Sequence, residues 1–114
     1  MKKTGSGMRY KRGEIVLVKF PFTTLKQSKK RPVLIIKDEN AMGDIVCFQI
    51  TSKSTQSSLY LLEDHLFSEN NLPLKSYVKF DKCFTLNREI VDKKLAAISN
   101  AAIEEIKRLF CDTI

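Results

Sequence analysis

The chain has 114 residues, of which 43% are hydrophobic and 29% are charged, and this length and composition indicate one soluble globular domain. No apolar run approaches the ~20 residues that a membrane-spanning helix needs, and no signal peptide is visible, so we expect no membrane association. The three cysteines are odd in number and widely spaced. This spacing argues against a disulfide framework or a metal knuckle and favours reduced thiols in the cytoplasm.

Much of the positive charge lies at the N-terminus. The formal net charge is +7, and residues 1–12 contribute five cations and no acid. The other residues carry fifteen cations and thirteen acids, a balance of +2. Residues 1–7 (MKKTGSG) contain nothing that could pack, so we predict a disordered or leader tail over residues 1–10 and one folded domain over residues 11–114. Net charge is therefore weak evidence for nucleic-acid binding.

Two strands joined by a basic loop come first in the folded part. Residues 14–20 predict a strand that ends at Pro21, because proline cannot donate to a sheet ladder. Residues 33–36 (VLII) are apolar on both faces, which predicts a central, buried strand. The loop between the two strands carries four cations: Lys26, Lys29, Lys30 and Arg31.

Arg31 differs from the loop lysines in its surroundings. Pro32 restricts Arg31 to an extended backbone, and a buried strand begins beside it. A guanidinium held at the root of a rigid strand is pre-organised to bind a phosphate. The charges of Lys26 and Lys29, in contrast, are typical of a solvated loop.

The remaining sequence predicts more short strands. These strands cover residues 45–51, 59–62, 76–80 and 95–98, and residues 83–86 either continue the strand at 76–80 or pair beside it. Polar stretches predict loops or turns over residues 37–44, 52–58 and 87–94, and one helical turn within residues 63–71.

The chain closes with an amphipathic helix. Ser99 is a candidate N-cap, and apolar residues then recur at helical spacing for about three turns. Several short strands with one closing helix predict a mainly β fold with a C-terminal helix, and a small SH3-like barrel is the natural candidate.

Few residues suit catalysis. One histidine, isolated cysteines and no carboxylates at ligand spacing predict no metal site, and we expect His65 to be a surface residue. Sheet neighbours could bring Arg31 close to Thr51 and Ser52, where a planar fork of donors and a hydroxyl would suit the binding of a phosphate. The alternative is that Thr51 and Ser52 only end a strand and begin a turn.

At these residues the sequence resembles the MazF/PemK family of toxins from bacterial type II toxin–antitoxin systems. The resemblance lies in four segments in the family's order: 12–22 with 30–36 (RGEIVLVKFPF and KRPVLII), 50–52 (ITS), 72–78 (LPLKSYV) and 94–99 with the helix that follows. It covers roughly residues 11–110. The loop before Arg31 departs from the family pattern, since it has neither a glycine nor an acidic residue.

The resemblance implies an SH3-like barrel of the MazF/CcdB type, a homodimer, and cleavage of single-stranded RNA without metal or cofactor. It also implies a cognate antitoxin with an acidic tail. Arg31 and Thr51 fall on the family's catalytic arginine and threonine. The residues then expected to contact RNA are Lys26, Ser28, Lys29, Lys30, Ser52 and Lys53.

Two rival functions use the same fold without catalysis. CcdB toxins resemble MazF in architecture and poison DNA gyrase, and an inactive homologue would only bind an antitoxin. The pairing of Arg31-Pro32 with Thr51-Ser52 favours the nuclease, because a gyrase poison needs no such pair.

Overall fold

The computed structural model describes residues 9–20, 29–54 and 57–114. It confirms a mainly β protein with one C-terminal helix. In chain order the strands are β1 (Glu14–Phe20), β2 (Lys29–Lys37), β3 (Asp44–Thr51), β4 (Leu59–Leu61), β5 (Phe67–Glu69), β6 (Tyr77–Asn87) and β7 (Val91–Ile98), and the helix is α1 (Asn100–Asp112). Short 3-10 turns at Asp64–Leu66 and Arg88–Ile90 precede β5 and β7.

The seven described strands form one antiparallel sheet in the order β4-β6-β3-β2-β1-β7-β5. The long strands occupy the middle, and the two edge strands, β4 and β5, have three residues each. Short edges expose few unpaired backbone groups. β2 lies between β1 and β3, which confirms the central position that its apolar sequence predicted.

The sheet is buried on both faces. Because successive residues of a strand point to opposite sides, each central strand contributes to two apolar clusters. On one face Ile15, Leu34 and Phe48 pack with α1, and on the other Val16, Val33 and Cys47 form a second cluster. α1 contributes the fully or nearly fully buried Ala102, Ile103 and Ile106. Its Phe110 ring meets Phe48 edge-on, with centroids 5.2 Å apart.

The predicted N-cap of α1 is confirmed. Ser99 Oγ accepts a hydrogen bond from the Ala102 backbone N–H at 3.2 Å, which satisfies one of the free N–H groups in the first helical turn. The Ser99 N–H in turn donates to the carbonyl oxygen of Leu66 at 2.8 Å. The start of the helix is therefore fixed to the turn that precedes β5.

The chain before β1 is anchored by a buried carboxylate. Glu39 accepts hydrogen bonds from the Tyr10 backbone N–H at 3.1 Å and from Arg88 Nη1 at 3.0 Å, and the Arg88 guanidinium lies 5.3 Å from the centre of the Tyr10 ring. Tyr10 also packs on the second core cluster. It thus contacts the folded domain although it lies in the segment predicted as a tail, of which residues 1–8 are outside the described residues.

Two strand predictions need correction. Residues 87–94 were predicted as a turn, but only Arg88–Ile90 turns, and β7 begins at Val91. Its first half is polar because it is exposed to solvent, so it lacks the apolar signal of a buried strand. β5 was not predicted at all because only Phe67 of its three residues is apolar. Tyr77–Asn87 forms one long strand with a register shift, so residues 83–86 continue the strand, which is one of the two predicted alternatives.

Candidate active site

A groove opens where β2 and β3 separate. The last paired residues of these two strands are Val33 and Gln49. Beyond this pair β2 follows β1, with Arg31 opposite Val18, and β3 follows β6, with Thr51 opposite Tyr77. Pro32 stands at the point of separation and has no N–H to donate to a ladder. Continuing the β2–β3 register by two residues would place Arg31 opposite Thr51, and both residues line the groove between the separated strands.

The groove has a volume of about 510 Å³. Its lining residues come from both strands, from a loop and from β7: Lys30, Arg31, Pro32, Gln49, Ile50, Thr51, Ser52, Lys53, Leu72, Pro73, Leu74, Ser76 and Leu95. Residues 72–76 form one wall of the groove, hereafter the loop wall. It is held in place by Ser76, which is buried. Ser76 Oγ donates to the carbonyl oxygen of Leu74 at 2.8 Å, and the Ser76 carbonyl accepts from the Leu62 N–H at 3.0 Å.

The Arg31 side chain is available for a ligand. It is exposed, and within residues 9–20, 29–54 and 57–114 it makes no hydrogen bond or ion pair. A guanidinium offers five N–H donors in a planar fork, which matches the oxygens of a phosphate. Its attachment to a paired strand fixes the position of its backbone.

The Thr51 hydroxyl is oriented by its own turn. Thr51 is half-buried, and its Oγ1 accepts a hydrogen bond from the Lys53 backbone N–H at 3.1 Å. A hydroxyl that accepts in this way keeps its single proton for a second partner. Thr51 can therefore donate to a ligand oxygen in the groove. The turn that the sequence suggested as an alternative to a functional role thus coexists with a hydroxyl that lines the groove.

The described lining is cationic and contains no acid. It includes Lys30, Arg31 and Lys53, and it has neither a carboxylate nor a histidine. Lys30 is partly neutralised, because its Nζ lies 3.1 Å from Asp92 Oδ2 at the surface. This arrangement suits an anionic ligand, and it stabilises negative charge on that ligand.

The structure thus brings together five of the predicted site residues: Lys30, Arg31, Thr51, Ser52 and Lys53. Lys26 and Ser28 lie outside the described residues. The backbone of Lys29 begins β2, but its side chain is not described. His65 lies exposed in the Asp64–Leu66 turn and does not line the groove.

Sequence reasoning missed Gln49 and the apolar part of the lining, namely Ile50, Leu72, Pro73, Leu74 and Leu95. Residues 72–78 did resemble a family segment, but nothing in their chemistry signalled that they would form a wall. Only the fold places this loop against the ends of β2 and β3.

In the described part of the chain, no group of three or more His, Cys, Asp or Glu side chains could hold a metal ion. Burial, and secondarily the nearby Cys83, raises the pKa of the Cys47 thiol to about 12. Cys47 is thus an uncharged core residue. Cys83 and Cys111 are free and exposed. None of the described helices is long and apolar enough to cross a membrane.

Together, the seven-stranded sheet with its closing helix and the cationic groove, whose described lining holds no acid, define a small β protein with a site suited to an anion. Residues 11–114 match the family model described as the PemK-like, MazF-like toxin of type II toxin–antitoxin systems. Because the match spans nearly the whole chain, the protein belongs to this family. A search of the curated proteins found no significant match.

Several solved structures have a similar fold. MazF (Form-I) from Deinococcus radiodurans superposes with a TM-score of 0.72 at 19% identity, over 93% of this chain and 96% of that chain. MazE-MazF (Form-II) from the same organism superposes with a TM-score of 0.75 at 19% identity, over 91% of this chain and 94% of that chain. An endoribonuclease in complex with its cognate antitoxin, from a mycobacterial species, superposes with a TM-score of 0.67 at 18% identity, over 90% of each chain. At these identities the likeness establishes the MazF-like fold, as the sequence predicted.

Proposed function

We propose that this protein is a metal-independent endoribonuclease toxin that cleaves single-stranded RNA. The observation that carries the proposal is the placement of Arg31 and Thr51 on opposite sides of one cationic groove. Membership of the toxin family supports the proposal, as does the fold shared with a mycobacterial protein described as an endoribonuclease.

In the proposed reaction the RNA supplies its own nucleophile. The 2′-oxygen attacks the adjacent phosphorus as its proton passes to water, and the bond from phosphorus to the 5′-oxygen breaks. The departing 5′-oxygen takes up a proton from water, so the products are a 2′,3′-cyclic phosphate and a 5′-hydroxyl. The phosphate carries more negative charge in the transition state than in the ground state. Only interactions that strengthen at that point accelerate the chemical step.

Arg31 and Thr51 would supply such interactions. The Arg31 fork would bind two oxygens of the phosphate and can donate a hydrogen bond to the departing 5′-oxygen, while the Thr51 hydroxyl would donate one to a non-bridging oxygen. The described lining holds no histidine or carboxylate, so its contribution is charge stabilisation and positioning. Ser52 and Lys53, which follow Thr51, would bind the same phosphate or its neighbour, and Lys26, Ser28, Lys29 and Lys30 would bind the strand beside it.

The same groove would be the target of regulation. We propose a homodimer in the cytoplasm, and a cognate antitoxin whose acidic tail lies across Arg31 and neutralises the groove. The MazE-MazF complexes of similar fold support a partner of this kind. An acidic, partly disordered tail would be steered to the groove by its charge.

Incubation with RNA in a chelator tests the proposal. The purified protein is added to single-stranded RNA of mixed sequence in excess EDTA, and the ends of the products are identified by mass spectrometry. We expect discrete fragments with 2′,3′-cyclic phosphate and 5′-hydroxyl ends. Intact RNA after incubation with protein of native circular dichroism would contradict the proposal and would favour a non-catalytic toxin.

A further inference from the structure

Three exposed lysines lie on neighbouring strands next to the groove. Lys19 on β1 is paired directly with Lys30 on β2, so their side chains share one face of the sheet. Lys93 on β7 is paired with Leu17, which lies on the same face as Lys19 because it is two residues away along β1. Lys30 also lines the groove. These lysines, hereafter the lysine track, therefore run from the groove across three adjacent strands.

One carboxylate sits within the lysine track. Asp92 Oδ2 lies 3.1 Å from Lys30 Nζ, and this hydrogen bond, together with the charges of Lys30, Lys19 and Lys93, holds the pKa of Asp92 below its usual range. All three ammonium groups are thus close enough to act on one carboxylate. Three cations and one acid leave the track with a charge of +2, and in the described part of the chain neither Lys19 nor Lys93 makes an ion pair.

Lys94 differs from Lys19 and Lys93 in that it forms ion pairs that join strands of the sheet. It follows Lys93 in sequence, but its Nζ lies 2.9 Å from Glu69 and 3.2 Å from Glu14. Two carboxylates therefore neutralise Lys94 and join β7 to its two neighbours. Lys19 and Lys93 have no such role in the sheet.

We propose that the lysine track binds the phosphates of single-stranded RNA that extend from the groove, and that Asp92 offsets part of its positive charge. This inference rests on the proposed function, since it assumes that RNA is the ligand of the groove. Neighbouring strands are about 4.8 Å apart, so the track spans about 10 Å, which is enough for about two further phosphates. Lysines bind phosphates as point charges without reading bases, so the track adds affinity and not sequence preference.

Binding measured against salt tests the track without requiring cleavage. The probe is a fluorescein-labelled 12-nucleotide 2′-O-methyl RNA of mixed sequence, which has no free 2′-hydroxyl and stays intact. For single strands log K falls with log salt by ~0.7 for each phosphate contact, so the double variant Lys19→Gln/Lys93→Gln should have a slope smaller by about 1.4. Between about 50 and 200 mM salt the parent should then lose about seven-fold more affinity than the double variant.

Two further variants make the result specific. Lys37→Gln removes an exposed lysine from the far end of β2, about 20 Å along the strand from Arg31, and should leave the slope unchanged. Asp92→Asn should tighten RNA binding and steepen the salt dependence, because it removes the one negative charge beside the three lysines. A gain of affinity cannot result from unfolding.

The outcomes separate this inference from the proposed function. If the double variant has the parental slope while the parent cleaves RNA, the lysine track is wrong and the nuclease stands. If the slope falls as predicted but the parent cleaves nothing, the track stands and catalysis is wrong. The same variants are also tested with a glutamate-rich 20-residue peptide. If the double variant loses affinity for this peptide but not for the RNA, the track binds an acidic protein partner and the inference is overturned.

Discussion

Arg31→Lys separates the charge of Arg31 from its geometry. Lysine keeps the positive charge but replaces the planar fork with a single ammonium group. The Arg31 side chain is exposed and makes no ion pair or hydrogen bond with the rest of the described chain, so the substitution should change the free energy of unfolding by less than ~0.5 kcal/mol. Loss of one pre-organised donor to a developing negative charge costs ~10²–10³ in rate, or about 2.7–4 kcal/mol. We expect Arg31→Lys to lose activity in this range.

The assay is single-turnover cleavage of one RNA oligonucleotide, with circular dichroism as the check on folding. Arg31→Ala should be at least as slow as Arg31→Lys. Thr51→Ala should cost less, because it removes a neutral donor, and Thr51→Ser should stay close to the parent because it retains the hydroxyl. A folded Arg31→Lys variant that cleaves at the parental rate would refute the assigned role of Arg31, even if the protein proves to be a ribonuclease.

Three further predictions concern assembly and stability. Light scattering at micromolar concentration should give about twice the 13.1 kDa chain mass, and a strict monomer would remove the proposed dimer. Association with the antitoxin should slow clearly as salt rises from low to physiological levels, whereas a salt-independent on-rate would indicate an apolar docking site. Burial, followed by the 2.8 Å hydrogen bond to Glu105, raises the pKa of Tyr60 to about 12, while the unfolded chain loses this proton near pH 10. The stabilisation is therefore complete below pH 10 and is lost as the pH rises through 12. In denaturant unfolding, the difference in free energy of unfolding between the parent and Tyr60→Phe should shrink over that range, and a constant difference would contradict the raised pKa of Tyr60.

The elements that sequence analysis predicted well are those with an apolar signal of their own. The buried run at residues 33–36 and the helical spacing of Ile103 and Ile106 each depend on burial on at least one face, and both elements are found in the structure. The capping role of Ser99 was likewise local, since it requires only a hydroxyl beside the first helical turn.

The elements that were missed obtain their stability from partners far along the chain. The first half of β7 carries Asp92, Lys93 and Lys94, a sequence typical of a turn, yet it pairs with β1 and is bound to it by the contact between Lys94 and Glu14. β5 is held by pairing with β7. Neither interaction leaves a periodic pattern within its own segment.

The candidate site shows the same division. Arg31 beside Pro32, and a hydroxyl at the end of a strand, are local features that the sequence offered directly. The separation of β2 from β3 beyond Val33 and Gln49 is not local, because it depends on which neighbour each strand follows. For that reason the groove, and the loop wall that Ser76 fixes, became visible only with the fold.

A single 2′-deoxy nucleotide at the scissile position tests the central claim most directly. Once the cleavage position of one oligonucleotide is known, the parent protein is given that RNA and a matched RNA lacking only the 2′-oxygen there, both in EDTA. Because the 2′-oxygen is the proposed nucleophile, the deoxy oligonucleotide should bind with similar affinity and remain uncut at that position, while the all-ribose RNA is cleaved to a 2′,3′-cyclic phosphate. Cleavage of both oligonucleotides at the same rate would show that another nucleophile attacks the phosphate, and would contradict the mechanism assigned to the Arg31–Thr51 groove.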